Sequence, residues 1–275
     1  GSVLSFEKRD DYWQKPELIP EETAANVDKL SFHVIKEASQ AGIALETGDI
    51  DAFVQLDQNT AVQFVDNPAF SMEANSYING YQLYFSGGDN RNIATDENLR
   101  KAICYAIDTD GLIKGVFAGY GKSMHDPIAD TSVGYLEKWK DEEYYPYDVE
   151  KAKELISQSN YKGEELEFLA TSSSTTQRIC QMIQGYLLQV GINVKLNLVD
   201  QALYTATRLD GTQYDMTINT VGGETLPDHW SIRYDYQAYK TGDATARHDE
   251  ALGELLYKTW TKEGFTEENI DEVHN

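Results

Sequence analysis

Residues 166–220 alternate between strand-like and helix-like hydrophobic patterning, and this alternation limits the chain to few folds. Leu166 to Ala170 is a short apolar run of strand length. Thr176 to Val190 has helical patterning and stops at Gly191, a residue suited to ending a helix. Ile192 to Val199 then alternates strictly, Gln201 to Leu209 is a second helix, and Tyr214 to Thr220 is a third strand. Strand, helix and strand joined by short turns imply right-handed crossovers and a sheet with helices packed on it.

The preceding residues supply further elements. Val3 to Arg9 and Leu30 to Ile35 read as strands, and a helix beginning near Gln40 ends at Gly48. Ile50 to Val54 is expected as a short buried strand, Asn59 to Val65 as a helix, and Phe70 to Tyr77 and Gly80 to Phe85 as neighbouring strands. After a polar, Gly-rich loop, Thr95 is placed to cap a helix, with Asp96 and Glu97 in its electropositive first turn. Leu99, Ala102, Ile103, Ala106 and Ile107 follow at helical spacing, and Asp108 to Gly111 breaks that helix and caps the next, Leu112 to Phe117. Residues 122–147 show little periodicity, as in loops that carry function or cover a cleft. Asp148 caps an amphipathic helix running to Ile156. Asp249 to Thr261 is helical, and Thr266 starts a last helix.

Composition excludes several classes of function. Forty-six acidic and 23 basic residues give a net charge of −23. With no basic stripe, such a chain repels nucleic acid and anionic membrane surfaces. The acidity could favour cationic ligands, but it also simply keeps a secreted protein soluble. The 18 tyrosines suit clefts and interfaces, or half-buried strand positions. No apolar run is long enough to span a bilayer. Cys104 and Cys180 fall on apolar helix faces and read as buried thiols or as a single bridge; neither has a partner at metal-ligand spacing. There is no nucleophile elbow, phosphate loop or zinc-binding helix motif. The five histidines, at 33, 125, 229, 248 and 274, are scattered, and the acidic pairs read as solvated faces. No catalytic residue, metal site or cofactor is assigned. The alternative of a different class, a cleft hydrolase using an acidic pair, rests on those pairs alone.

Asp96, Arg100, Ala102, Ala106, Ile107 and Asp108 together resemble a helix pattern of the family 5 extracellular solute-binding proteins, the oligopeptide- and dipeptide-binding components of ABC importers. Tyr12-Trp13 before Pro16, the turn at Gly48-Asp49-Ile50-Asp51, the helix start Tyr147-Asp148-Val149-Glu150-Lys151-Ala152 and the phrase Gln189-Val190-Gly191-Ile192 are similar to the same family, with Val149 in place of its usual Pro. The resemblance implies an α/β fold: an incomplete type II periplasmic-binding-protein-like lobe, a mixed sheet flanked by helices. It implies an excised middle portion. Residues 1–90 would be part of domain I, leading to the hinge, and residues 91–275 a domain III-like lobe truncated at its C-terminus.

The function implied is capture of oligopeptides in a cleft between two lobes, without turnover. The same scaffold binding a sugar or metal complex is the alternative, and a sensory domain fused to a regulator is a further one. In open α/β sheets, ligands sit beyond the carboxyl ends of the strands. In peptide-binding members an Asp a few residues past the strand matching Tyr214-Asp215 holds the ligand's α-ammonium. The corresponding residue here is Glu224, with Asp228 the other possibility, and Trp230 and Tyr234 line the same cleft or cover the core. The implied partners are an oligopeptide or other small solute and an ABC permease, not nucleic acid. The protein is expected to be a monomer at the cell surface, outside the cell or in the periplasm. Gly1-Ser2 looks like a cloning scar, so a signal peptide and lipid anchor are expected ahead of this chain. A fragment lacking one side of the cleft is expected to bind ligand weakly or not at all.

Overall fold

A computed structural model describes residues 2–9, 11, 27–35, 37–54, 56–73, 79–87, 91–124, 130, 132–222 and 249–274. The chain divides into two compact units, Gly1–Glu73 and Ala74–Asn275.

In the first unit β1 (Val3–Glu7) and β2 (Lys29–His33) form an antiparallel ribbon in which Val3 faces His33 and Phe6 faces Leu30. Both strands are exposed along their whole length, and the Phe6 and Phe32 rings meet edge to face at 6.0 Å. Helix α1 (Ala38–Thr47) ends as the sequence predicts: Gly48 adopts φ 75° and its N–H returns to the Ala44 and Leu45 carbonyls. A short α2 (Gln58–Ala61) runs into a 3₁₀ turn whose Phe64 is buried against Phe70. Ile50 to Val54 forms no strand. Its chain lies in an irregular turn, with the Asp49 and Ile50 N–H groups bonded to the Ala44 carbonyl. Of the strand expected over Phe70 to Tyr77, residues 70–73 are irregular and 74–77 lie outside the described residues.

The second unit is built on a four-stranded mixed sheet in the order β3 (Asn79–Phe85), β6 (Met216–Gly222), β4 (Leu166–Thr171), β5 (Val194–Val199). β4 runs parallel to β5 and β6, whereas β3 is antiparallel to β6, pairing Asn79 with Gly222 and Phe85 with Met216. The alternation read from the sequence produces this sheet. Phe168, Ala170, Val194, Met216 and Ile218 point to one face, into a core completed by α4 (Glu97–Ala106), α5 (Thr109–Phe117), α6 (Val149–Gln158) and α7 (Ser174–Gln189). Leu169 and Tyr214 pack on the other side with Tyr204 of α8 (Gln201–Asp210).

Helix starts follow the predicted capping logic, with one correction. Asp108 caps α5 through the Gly111 N–H, and Asp148 caps α6 through the Lys151 N–H. At α4 the cap is Asp96, not Thr95. Thr95 ends a separate short turn, α3 (Asn92–Thr95), while the Asp96 carboxylate accepts the Leu99 N–H at 3.0 Å. Asp96 does more than a cap, because its other oxygen accepts the Asn160 N–H at 2.7 Å and ties the start of α4 to the end of α6.

A satellite core joins the 3₁₀ turn Glu137–Asp141 to the C-terminal helices α9 (Glu250–Thr259) and α10 (Glu267–His274) through Trp139, Leu256 and Ile270. No helix is long and apolar enough to cross a membrane among the described residues.

Candidate functional site

The carboxyl edge of the sheet is the place to look for a ligand, because three parallel strands end there and α7 and α8 begin there. Thr171 ends β4, and its hydroxyl bonds Thr176 at 3.3 Å. Ser173 bonds the same hydroxyl at 2.8 Å and caps α7. Asp200 follows β5 and caps α8 through the Ala202 and Leu203 N–H groups. β6 leaves the edge at Gly222, beside the start of β3, and carries the chain into residues 223–248.

Glu224, Asp228, Trp230 and Tyr234 all lie in that stretch, outside the described residues, as do Tyr12 and Trp13. What the structure does place is the framework that delivers the stretch. The Tyr204 hydroxyl donates to the Ile218 carbonyl at 2.8 Å and receives the Thr217 hydroxyl at 3.1 Å, fixing β6 against α8. At the opposite end of β6, the Asp215 carboxylate accepts the Glu167 N–H at 2.8 Å and lies 3.4 Å from Arg91, whose guanidinium also holds the Thr212 carbonyl. The Ser86 N–H donates to the Asp215 carbonyl and its hydroxyl to the Gly211 carbonyl. Burial pushes the Asp215 carboxyl above the ordinary aspartate range, against the Glu167 N–H and Arg91, which pull it down. β6 is therefore pinned at its amino end and presented at its carboxyl end.

Two features of this edge escaped the sequence reading. One is the hydroxyl run Thr171 to Thr176, which the strand-to-helix junction places at the edge; its signal was the unbroken Ser/Thr composition immediately after a strand. The other is Tyr81, directly opposite Thr220, half-exposed with its ring 5.7 Å from Phe117. Gly80 to Phe85 was legible as a strand, but nothing in sequence told which tyrosine would stay in contact with solvent.

Cys104 and Cys180 are free, which closes the alternative of a bridge, and burial pushes their thiols up to about 11 and about 12. Such thiols stay protonated and act as small core residues. Among the described residues, no group of three His, Cys, Asp or Glu is arranged to hold a metal ion.

Residues 1–243 match the family described as bacterial extracellular solute-binding proteins, family 5 Middle. The oligopeptide-binding protein AppA of Bacillus subtilis is 25% identical over 96% of this chain and 50% of its own length. Among solved structures, the periplasmic binding protein DppA of Helicobacter pylori, in complex with the peptide STSA, superposes with a TM-score of 0.78 at 24% identity, over 99% of this chain and 52% of that one. The binding protein AgaA of A. tumefaciens R10, in complex with agropinic acid, superposes with a TM-score of 0.74 at 26% identity, over 100% of this chain and 55% of that one. The chain thus spans about half the length of the curated relatives and structures it matches, and its fold is that of the periplasmic binding proteins.

Proposed function

Starting from the fact that this chain belongs to the family 5 bacterial extracellular solute-binding proteins, we propose that the whole protein captures oligopeptides and delivers them to an ABC permease. The observation that carries the reading is the fit of nearly the entire chain to a peptide-bound binding protein. On this reading the carboxyl edge of the β6–β4–β5 sheet forms one wall of a cleft whose other wall comes from the rest of the protein. An extended peptide adds its backbone to strand-like hydrogen bonding in that cleft, which gives affinity with little side-chain selectivity. Lobe closure buries it, and the closed form is what the permease reads.

Glu224 is the proposed partner of the peptide's α-ammonium, with Asp228 the alternative and Trp230 and Tyr234 as aromatic walls. A charge-assisted bond to a desolvated ammonium is a strong anchor. A split at residue 90 would cut β3 from its partner β6, so residues 1–73 are assigned to the lobe leading to the hinge and 74–275 to the second lobe. A signal peptide, a lipid anchor, extracellular or periplasmic placement and a monomeric state complete the proposal.

The test is binding of free and N-acetylated tetrapeptides to the full-length protein and to Glu224→Gln. Acetylation is expected to weaken wild-type binding by roughly ten- to a hundredfold, the value of one charge-assisted bond. Glu224→Gln is expected to lose that discrimination. Equal affinity of wild type for both peptides would remove Glu224 from the site. A second reading, capture of a non-peptide solute on the same scaffold, is favoured by the presence of Glu where peptide binders carry Asp and by the relative that holds agropinic acid.

A further inference from the structure

An aromatic pair at the carboxyl edge has no part in the anchoring of a peptide's α-ammonium. Side chains 81, 83 and 85 share one face of β3. Leu83 and Phe85 pack onto the main core, while Tyr81, nearest the carboxyl edge, is 40% exposed. On the other face the Tyr84 hydroxyl already donates to Gln82 at 2.6 Å. Tyr81 is thus the ring of β3 that emerges from the fold, and it does so opposite Thr220, just before β6 ends at Gly222.

Helix α5 delivers the second ring. A Cβ on Gly111 would meet the Tyr186 hydroxyl and one on Gly115 the end of Met182, so α5 runs antiparallel to α7 and ends toward the edge where α7 begins. Phe117, its last residue, lies against Tyr81 with centroids 5.7 Å apart and an interplanar angle of 35°. The helix then stops abruptly. Ala118 takes φ 51°, the one positive φ outside glycine among the described residues, and Gly119 follows at φ 85°. The Gly119 N–H returns to the Ile113 carbonyl at 3.2 Å and the Tyr120 N–H to the Phe117 carbonyl at 2.8 Å. The left-handed region is unfavourable for alanine. Such strain persists only where the surroundings hold it, and it gathers at ligand clamps. Here it turns the chain at the residue that backs Tyr81.

We propose that Tyr81, backed by Phe117, is a stacking platform at the carboxyl edge that selects an aromatic side chain of the bound peptide. The inference deepens the peptide reading of this edge and rests on it. Tilted rings at this spacing leave the outer part of Tyr81 open to a third ring, and an aromatic contact adds attraction beyond the apolar area it buries. Phe117 limits the turning of Tyr81, so little side-chain freedom is lost when the ligand arrives. Backbone pairing by itself gives little selectivity. The platform supplies selectivity at one position of the peptide.

The test is a set of affinities of the full-length protein for tetra-alanine and for the tetrapeptides in which one Ala at a time is replaced by Phe. Wild type is expected to bind one of the Phe peptides roughly five- to thirtyfold more tightly than tetra-alanine. Tyr81→Thr, which keeps a strand-forming residue in β3, is expected to lose that preference and to bind tetra-alanine as wild type does. Tyr81→Phe is expected to keep the preference. A structural role alone would shift all of these affinities together. Binding of every peptide with no preference for Phe, the result if another part of the protein covers Tyr81, would overturn the platform alone. So would a preference that survives Tyr81→Thr. Failure of wild type to bind any of the peptides would overturn the peptide reading and the platform with it.

Discussion

Asp215 concentrates the tension between burial and pairing that sets the residue scale of this protein. Its carboxylate is 8% exposed, accepts a backbone N–H and faces Arg91. Replacing it with Ala strands the Glu167 N–H and half of the Arg91 guanidinium, and is expected to cost about 2–4 kcal/mol in denaturant unfolding. Asp215→Asn isolates the charge. Because burial dominates and raises the folded carboxyl above its unfolded value, the stability linked to its proton is present at low pH and lost as pH rises through the raised value. The cost of Asp215→Asn is therefore expected to shrink between pH 4 and pH 7; a cost that grows with pH would mean that Arg91 and the backbone N–H outweigh burial.

Asp96 makes a parallel case. Asp96→Ala loses a helix cap and the bond to the Asn160 N–H together, an expected loss of about 1–3 kcal/mol that Asp96→Asn recovers in part. Sequence pointed to the neighbouring Thr95 because both residues have capping side chains one position apart. Only the tertiary bond to residue 160 selects between them.

At the scale of elements, helices α5 and α7 meet through small residues. A Cβ on Gly111 would lie 2.4 Å from the Asp108 cap carboxylate and 2.7 Å from the Tyr186 hydroxyl, whereas one on Gly115 would lie 2.9 Å from the end of the Met182 side chain. Methionine can turn aside, while a capping carboxylate is already engaged at the Gly111 N–H. Gly111→Ala is expected to destabilise by about 1–3 kcal/mol, and Gly115→Ala to stay within about 0.5 kcal/mol, since relief of Gly helix entropy offsets the displacement. Thermal melts of the two variants side by side check this.

Helices α4 and α6 and strand β5 were legible because their apolar residues recur on one face, whereas β4 and β6 were read as strands from their place between helical segments; all form there. Ile50 to Val54 failed because a short apolar run carries no period long enough to separate a buried strand from an irregular surface segment, and Val54 is 84% exposed. The candidate site was legible only in outline. Its position follows from the strand ends, but which groups meet a ligand depends on residues 223–248 and on a second wall, and neither follows from local pattern.

The whole molecule is a strongly anionic body, with 46 acidic against 23 basic residues. Most described ion pairs join exposed lysines to neighbouring carboxylates, such as Lys101 to Glu97 and Lys195 to Glu167, and leave a large excess of negative charge to repel itself. Raising sodium chloride from about 10 mM to 300 mM shortens the Debye length severalfold and is expected to raise the melting temperature by a few degrees; an unchanged or lower value would show that local pairs, not net repulsion, dominate. The central claim is capture of peptides in a cleft, and native mass spectrometry of the full-length protein as purified, followed by sequencing of what it releases, tests it most directly. The account expects a ladder of mixed peptide masses on a folded protein. A single non-peptide mass, or a folded protein that carries nothing and binds no peptide added to it, would contradict it.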